Sequence, residues 1–452
     1  MRHSYVAPLV VLGVVAFAVV AVAAGDRPRT DNPVSLSTNQ THEPVRDATP
    51  SSTPGVAVPP VFRDLAAAHR APDFQTGGTL QLSFQSITEL VSPFISSSAN
   101  AAEVQSWILE PLAVQDPDTL AWQGVLAESW SGSDDGQTIT VTLRDGLTFS
   151  DGEPLTAEDV VFSYDFIMNP LIRADRYRLA VGDLSSVRSI DPQTVEFRYD
   201  RPFYRSMDVA LGLQVIPKHR YERFVISPFE ADEYNNSVRF LYGSGPYQLD
   251  LFTEERIRLV RNENHWGPVQ PGPDAIEYRI LPSMPERMKE FAEERIDLIG
   301  LPPDEWRQTA DSEGVWERAQ RFRYLSSVAS YTYIAWQQND RPFGEGGSPF
   351  VDKRVRQALT YAMDRARILE EVYDGHGIVA DGPFHPLLEQ HNPELEPRPY
   401  DPALARALLD QAGFIDRNGD GVRESASGVA LRFGLVYPTG SGTYSQAMLI
   451  VQ

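Results

Sequence analysis

Few side chains in this sequence stand at spacings that do chemistry, and the nearest approach is an acidic turn. Asp416, Asn418 and Asp420, followed by Gly421, reproduce the first half of a calcium loop, in which alternating oxygen ligands converge on a hard cation and the glycine permits the bend. The closing glutamate is missing, because the twelfth position is Ser427. A calcium site and a plain hairpin turn are both open readings of that stretch. His376, His385 and His391 fall within one loop region and offer imidazole nitrogens to a metal such as nickel, the alternative being a solvated loop. His265 stands apart and no His-Glu-x-x-His pair exists. Ser244 lies between Gly243 and Gly245 but lacks the Gly-x-Ser-x-Gly frame of a nucleophile elbow, and no Gly-x-x-x-x-Gly-Lys run cradles a phosphate. These absences weigh against an exported hydrolase, and no enzyme is expected.

Composition narrows the class further. With 452 residues the chain exceeds what one apolar core organises, and two lobes are the simplest expectation. Its 40 basic and 62 acidic residues leave a formal charge of -22, which disfavours nucleic acid and anionic lipid as partners. Cysteine is absent, so disulfides, thiolate metal sites, cysteine nucleophiles and a lipid-bearing N-terminal cysteine are all excluded.

The elements that would position a site begin after a long N-terminal region. Residues 1–25 read as an export segment: Arg2 gives a positive start, residues 6–24 are almost wholly apolar, and Ala21-Val22-Ala23 or Val22-Ala23-Ala24 suits a signal peptidase. About 19 apolar residues also nearly suffice to span a bilayer, so a cleaved signal and a retained anchor are both open. Residues 26–78 are rich in Pro, Ser and Thr and read as a disordered tether, with a short helix over 61–69.

Beyond it, residues 79–84 alternate as a strand, with Gln85 and Ser86 at its end. Strands are expected at 138–143, 187–199 (a pair about Asp191-Pro192), 211–217, 257–260, 275–281, 296–299, 331–336 and 429–437. The 331–336 strand should be covered on both faces, making its aromatic rings core. Helices are expected at 101–109, 156–168 (Thr156 and Asp159 at capping spacing), 284–291, 351–365, 400–414 and from Tyr444 onward.

Several phrases carry a resemblance. LAESW (126–130), SDDGQT (133–138) and LRDGLTFSDGEPLTAEDVVFSY (143–164) resemble the signature of the extracytoplasmic solute-binding proteins of peptide-type ABC importers, the oligopeptide, dipeptide and nickel family. VIPKH (215–219), GSGPYQL (243–249), RNENHWG (261–267) and VDKRVRQALTYAMDR (351–365) are similar to the same family.

The resemblance implies a mixed α/β, two-lobed class II periplasmic-binding-protein-like fold. The first lobe would take residues 79–282 with an inserted subdomain over about 100–190, and the second 283–452, incomplete at its C-terminus, with the hinge near 281–283. It implies a peptide or other small solute as ligand, an ABC permease as partner, a monomeric state and an extracytoplasmic location. Import is the leading role, with tethered solute sensing as the alternative and nickel binding or an exported hydrolase behind it. Ligand contacts are expected at Gln85, Ser86, Thr439, Gly440 and Ser441. Relatives that hold a free peptide amine carry an aspartate in the loop where Gly440, Ser441 and Gly442 stand here, so the resemblance does not extend to a free-peptide ligand.

Overall fold

The computed structural model describes residues 18–22 and 76–452, apart from 87–89, 97, 117–118, 182–183, 238–239, 310–311, 323–330, 339–346, 385, 387–390 and 438–441. The tether and the helix expected at 61–69 thus lie almost wholly outside the described residues. Of the export segment only Ala18–Val22 is described, as a strand.

In chain order the strands are β1 (Ala18–Val22), β2 (Thr79–Phe84), β3 (Ala113–Gln115), β4 (Trp122–Gly124), β5 (Ala127–Gly132), β6 (Thr138–Leu143), β7 (Leu184–Asp191), β8 (Thr194–Tyr199), β9 (Tyr247–Phe252), β10 (Arg256–Arg261), β11 (Ala275–Ile280), β12 (Leu298–Leu301) and β13 (Ala319–Phe322). One four-stranded sheet runs β2-β11-β10-β9, a second runs β5-β6-β8-β7, and a three-stranded sheet runs β12-β1-β13. β2 and β11 are parallel, with Thr79 opposite Ala275 and Phe84 opposite Ile280. β1 pairs antiparallel with both neighbours.

The second sheet follows directly from its residues. In β6, Ile139, Val141 and Leu143 are buried while Thr138, Thr140 and Thr142 are half-buried, the alternation that a sheet with one covered face requires. Helix Ala157–Met168 covers that face. Its start is fixed by Asp159, whose carboxylate accepts the Thr156 backbone N–H at 2.9 Å and the Lys218 N–H at 3.0 Å. Burial lifts the Asp159 carboxyl above its usual range despite these bonds. The helix is buried on more sides than its period implies, because Phe162 and Phe166 join Val160, Tyr164 and Ile167 inside, whereas Met168 is exposed. Phe166 meets Tyr221 and Tyr234 edge-on.

Apolar packing separates into two cores. The larger takes in residues from Leu82 to Tyr278, and the smaller consists of Leu281, Phe291, Ile296, Ile299, Leu301 and Val315. The smaller core begins where β11 ends, and Leu298 of β12 packs back against the larger one. Ser283 caps that helix by accepting the Glu286 N–H.

Three expected strands are corrected. Residues 211–217 make one isolated bridge, Pro111 with Gln214, because helix Ser206–Leu211 takes their first residue and the rest is a loop packed on the core. Residues 331–338 carry no strand ladder, and Tyr331 and Tyr333 are 49% and 70% exposed, so these two rings are not core. Residues 429–437 likewise form no strand beyond the bridge at Ala430. What joins these two segments is aromatic contact: Trp336, Phe350 and Phe433 meet with centroids 5.0 to 5.6 Å apart. The helix expected at 351–365 is shorter, Lys353–Ala362, and a new one, Arg365–Glu371, starts with Asp364 as its cap.

Candidate functional site

The end of β2 is held from behind. Phe84, its last residue, stacks on Tyr278 of β11, and the Tyr278 hydroxyl accepts the Trp107 indole N–H at 2.8 Å while donating to Glu103. Burial pushes Tyr278 well above the phenol range and Glu103 above the carboxylate range, the shared hydrogen bond drawing Glu103 back. On this support Gln85 and Ser86 emerge into solvent. The Asn100 side chain donates to the Ser86 carbonyl at 2.7 Å, fixing the loop to the first turn of helix Ala99–Ser106. Two polar, exposed side chains on a rigid strand end are a suitable platform for hydrogen bonds to a ligand.

The other expected contacts, Thr439, Gly440 and Ser441, lie outside the described residues. Before them the chain carries Val436 and Tyr437, both exposed, and after them helix Gly442–Val451. The structure therefore places Gln85 and Ser86 together and leaves their pairing with the second loop as an expectation.

Between the cores, β11 and helix Met284–Ala292 are tied by charge. Glu290 is 9% exposed; Arg295 grips it through Nε at 2.7 Å and Nη2 at 2.6 Å, and Arg279 of β11 adds a further contact. Hydrogen bonds from Arg295 first, then from Arg279, hold the Glu290 carboxyl down at about 2. Beside it, the Gln81 N–H donates to Asp297 Oδ2 and the Asp297 N–H to the Gln81 carbonyl, each at 2.7 Å. A cavity of about 440 Å³ opens at this junction, lined by Glu255, Arg256, Glu277, Arg279, Ile280, Leu281 and Glu286.

Ser244 is accounted for structurally. Its hydroxyl donates to buried Glu110 at 2.7 Å, the Trp266 indole donates to the same oxygen at 2.7 Å, and His265 Nε2 lies 3.2 Å from the other. The serine and the histidine thus share a carboxylate, whereas a nucleophile requires contact with its base. Gly243 and Gly245 are needed for a close approach: a Cβ on them would come within 2.1 Å of the Ile108 carbonyl oxygen and 2.6 Å of the Trp107 carbonyl oxygen.

The acidic turn is closed by its own hydrogen bonds. Asp416 accepts the Gly419 and Gly421 N–H groups at 2.7 and 3.0 Å, and Asp420 accepts that of Val422 at 2.8 Å. Among the described residues Asp416 and Asp420 are joined by Glu424, ninth in the loop, as three carboxylates with oxygens within 4.8 Å of one another; Asn418 bonds to Asp420 at 3.2 Å. Of the loop histidines, His391 lies 3.0 Å from Asp381, His376 is half-buried and His385 lies outside the described residues. Glu103, Arg279 and Glu290 were not marked out by sequence. Glu103 meets Tyr278 from a distant strand, and Arg279 and Arg295 reach Glu290 at separations of 11 and 5 that match no helix or strand period.

Comparison with known proteins now bears on this geometry. The family model for bacterial extracellular solute-binding proteins, family 5 (middle region), matches residues 121–452. The oligopeptide-binding protein AppA of Bacillus subtilis is 27% identical over 389 residues, covering 84% of this chain and 67% of the relative. The nickel-binding periplasmic protein of Escherichia coli is 28% identical over 358 residues, covering 77% and 63%. The chain therefore spans about two thirds of the length of these relatives. The solved structure of Bacillus subtilis AppA in complex with a nonapeptide aligns with a TM-score of 0.66 at 25% identity, covering 84% of this chain and 72% of that one. The fold is thus the mixed α/β fold of class II periplasmic binding proteins, and the family it matches is one of non-catalytic solute-binding proteins. By the match over residues 121–452, the chain belongs to family 5 of the bacterial extracellular solute-binding proteins.

Proposed function

We propose that this chain is the solute-binding component of an ABC importer, taking a peptide or related small solute between two lobes that close about residues 281–283 and presenting it to a membrane permease. The observation that carries this reading is the match of residues 121–452 to the family, in a chain whose exposed Gln85 and Ser86 stand on the strand end held by the Phe84–Tyr278 stack. Two lobes turning about a short connection trap a ligand between them by hinge closure. A peptide would be held largely through its main chain. Gln85 and Ser86 supply contacts from one side and Thr439, Gly440 and Ser441 from the other.

The permease partnership and the extracytoplasmic location follow from family membership. The apolar segment within residues 1–25 serves as export signal or anchor on this reading; among the described residues no helix is long and apolar enough to cross a membrane. The nickel-binding relative keeps a metal complex as the second ligand class to test.

The test is a thermal-shift panel of di- to octapeptides, sugars and nickel on the full chain, since a ligand selective for the native state raises the melting temperature by mass action. A concentration-dependent shift with one class supports the reading. No shift with any of them, or hydrolysis of a model ester or peptide that vanishes on mutating one histidine, overturns it.

A further inference from the structure

We propose that Glu103 is the anionic half of a solute contact, holding an ammonium or guanidinium group of the ligand beside Gln85 and Ser86. The inference rests on the solute-binding reading above and adds the charge of the group bound there.

Glu103 lies on helix Ala99–Ser106, about one turn after Asn100, so the two share a helix face. The Asn100 side chain reaches the Ser86 carbonyl at 2.7 Å, which brings that face to the loop after β2. Glu103 also accepts the Tyr278 hydroxyl, and the Tyr278 ring stacks on Phe84, the residue before Gln85. The carboxylate is thus tied from two directions to the strand end that carries the exposed pair. Ala102 beside it is exposed and Glu103 itself half-buried, so the residue keeps an open side.

The chain supplies other carboxylates of similar burial with a cation. Half-buried Glu196 and Glu277 have arginines at hand, Arg188 and Arg256. Among the described residues no cation acts on Glu103, whose hydrogen-bond partner is an uncharged phenol. Burial of this kind makes the ionised carboxylate costly in the empty chain, and an incoming cation offsets that cost. A metal ion would need more ligands, and among the described residues Glu103 belongs to no group of three carboxylates or imidazoles. An ammonium or guanidinium offers donors only, which suits a carboxylate next to the side-chain oxygens of Gln85 and Ser86.

Calorimetry on the full chain with four probes tests this: trialanine, N-acetyl-trialanine, and two N-acetylated, amidated tripeptides with lysine or glutamine at the centre. Preference for trialanine over its acetylated form assigns the contact to a terminal ammonium, and preference for lysine over glutamine assigns it to a side chain. In Glu103→Gln the affinity for the preferred cationic probe should fall about tenfold to hundredfold, while that for its neutral counterpart stays within about twofold. Glu103→Asp keeps the charge and should keep the direction of the preference. Glu103→Gln should also raise the melting temperature of the unliganded chain at neutral pH, because an uncompensated charge is removed and an acceptor for Tyr278 remains.

An unchanged preference in folded Glu103→Gln, or a lower melting temperature in that variant, makes the carboxylate structural and overturns the inference. The two readings fail separately. If the parent binds only uncharged solutes or nickel, solute binding stands and the role of Glu103 falls; if no member of the wider panel binds, both fall.

Discussion

Phe84 and Tyr278 lie face to face, their ring centroids 4.2 Å apart and their planes 9° from parallel, although 194 positions separate them in the chain. The stack joins the last residue of β2 to β11 behind the exposed Gln85 and Ser86. Phe84→Ala removes it and leaves a cavity in a site 5% exposed, so it should cost about 3–5 kcal/mol in urea denaturation. Tyr278→Phe keeps the ring but strands the Trp107 indole N–H, and about 1–3 kcal/mol is expected.

Gln85→Ala and Ser86→Ala should behave oppositely. Both side chains are exposed, so the unliganded melting curve should stay within about 0.5 kcal/mol of the parent. Any ligand found by thermal shift should bind these variants about tenfold more weakly by calorimetry, the loss typical of a contact that matters at an interface.

Gly245→Ala tests the close approach of two backbones. The added methyl would meet the Trp107 carbonyl oxygen at 2.6 Å, and backbone there cannot swing aside as a side chain can. A destabilisation of about 1–3 kcal/mol, the usual overpacking cost, is expected by chemical denaturation, together with loss of protection at Tyr247 in hydrogen exchange.

The pH dependence of stability should carry the signature of Glu290. Its carboxyl is lowered from 4.5 to about 2 in the folded chain. A depressed acid contributes stability that is fully present above its unfolded value and is lost as pH falls toward the folded one. The loss between about pH 4.5 and 2 should therefore be shallower in Glu290→Gln than in the parent, measured by denaturant midpoint against pH.

The acidic turn should hold without an ion. Asp416 already accepts two backbone N–H groups, so a chelator should leave the melting temperature unchanged, whereas Asp416→Ala should cost about 1–2 kcal/mol. A rise in melting temperature on adding millimolar calcium would contradict this.

Much of the first body was legible because its signals are local. Ile139, Val141 and Leu143 alternate within one strand, Thr156 and Asp159 sit at capping spacing, and Gly243 to Gly245 mark a backbone that must come close to another. The second body was less legible. Residues 331–338 and 429–437 have strand-like composition, but a ladder depends on what lies alongside, and alternation in one segment cannot report its neighbour. The position of Glu424 shows the same limit: a search for the twelfth residue of a loop passes over the ninth, which the hairpin folds back toward Asp416 and Asp420. The Glu290 network was invisible because Arg279, Glu290 and Arg295 look like ordinary surface charge until the turn after helix Met284–Ala292 brings them together.

The parallel pairing of β2 with β11 also governs the order of events during synthesis. Thr79 cannot reach its partner Ala275 until nearly two hundred further residues have been made, as the span of 196 positions between Gly78 and Asp274 shows. Contacts so distant along the chain form late, since the loop between them must close first. β2 therefore waits for the strand that completes its sheet, and this topology delays folding until most of the first body has been made.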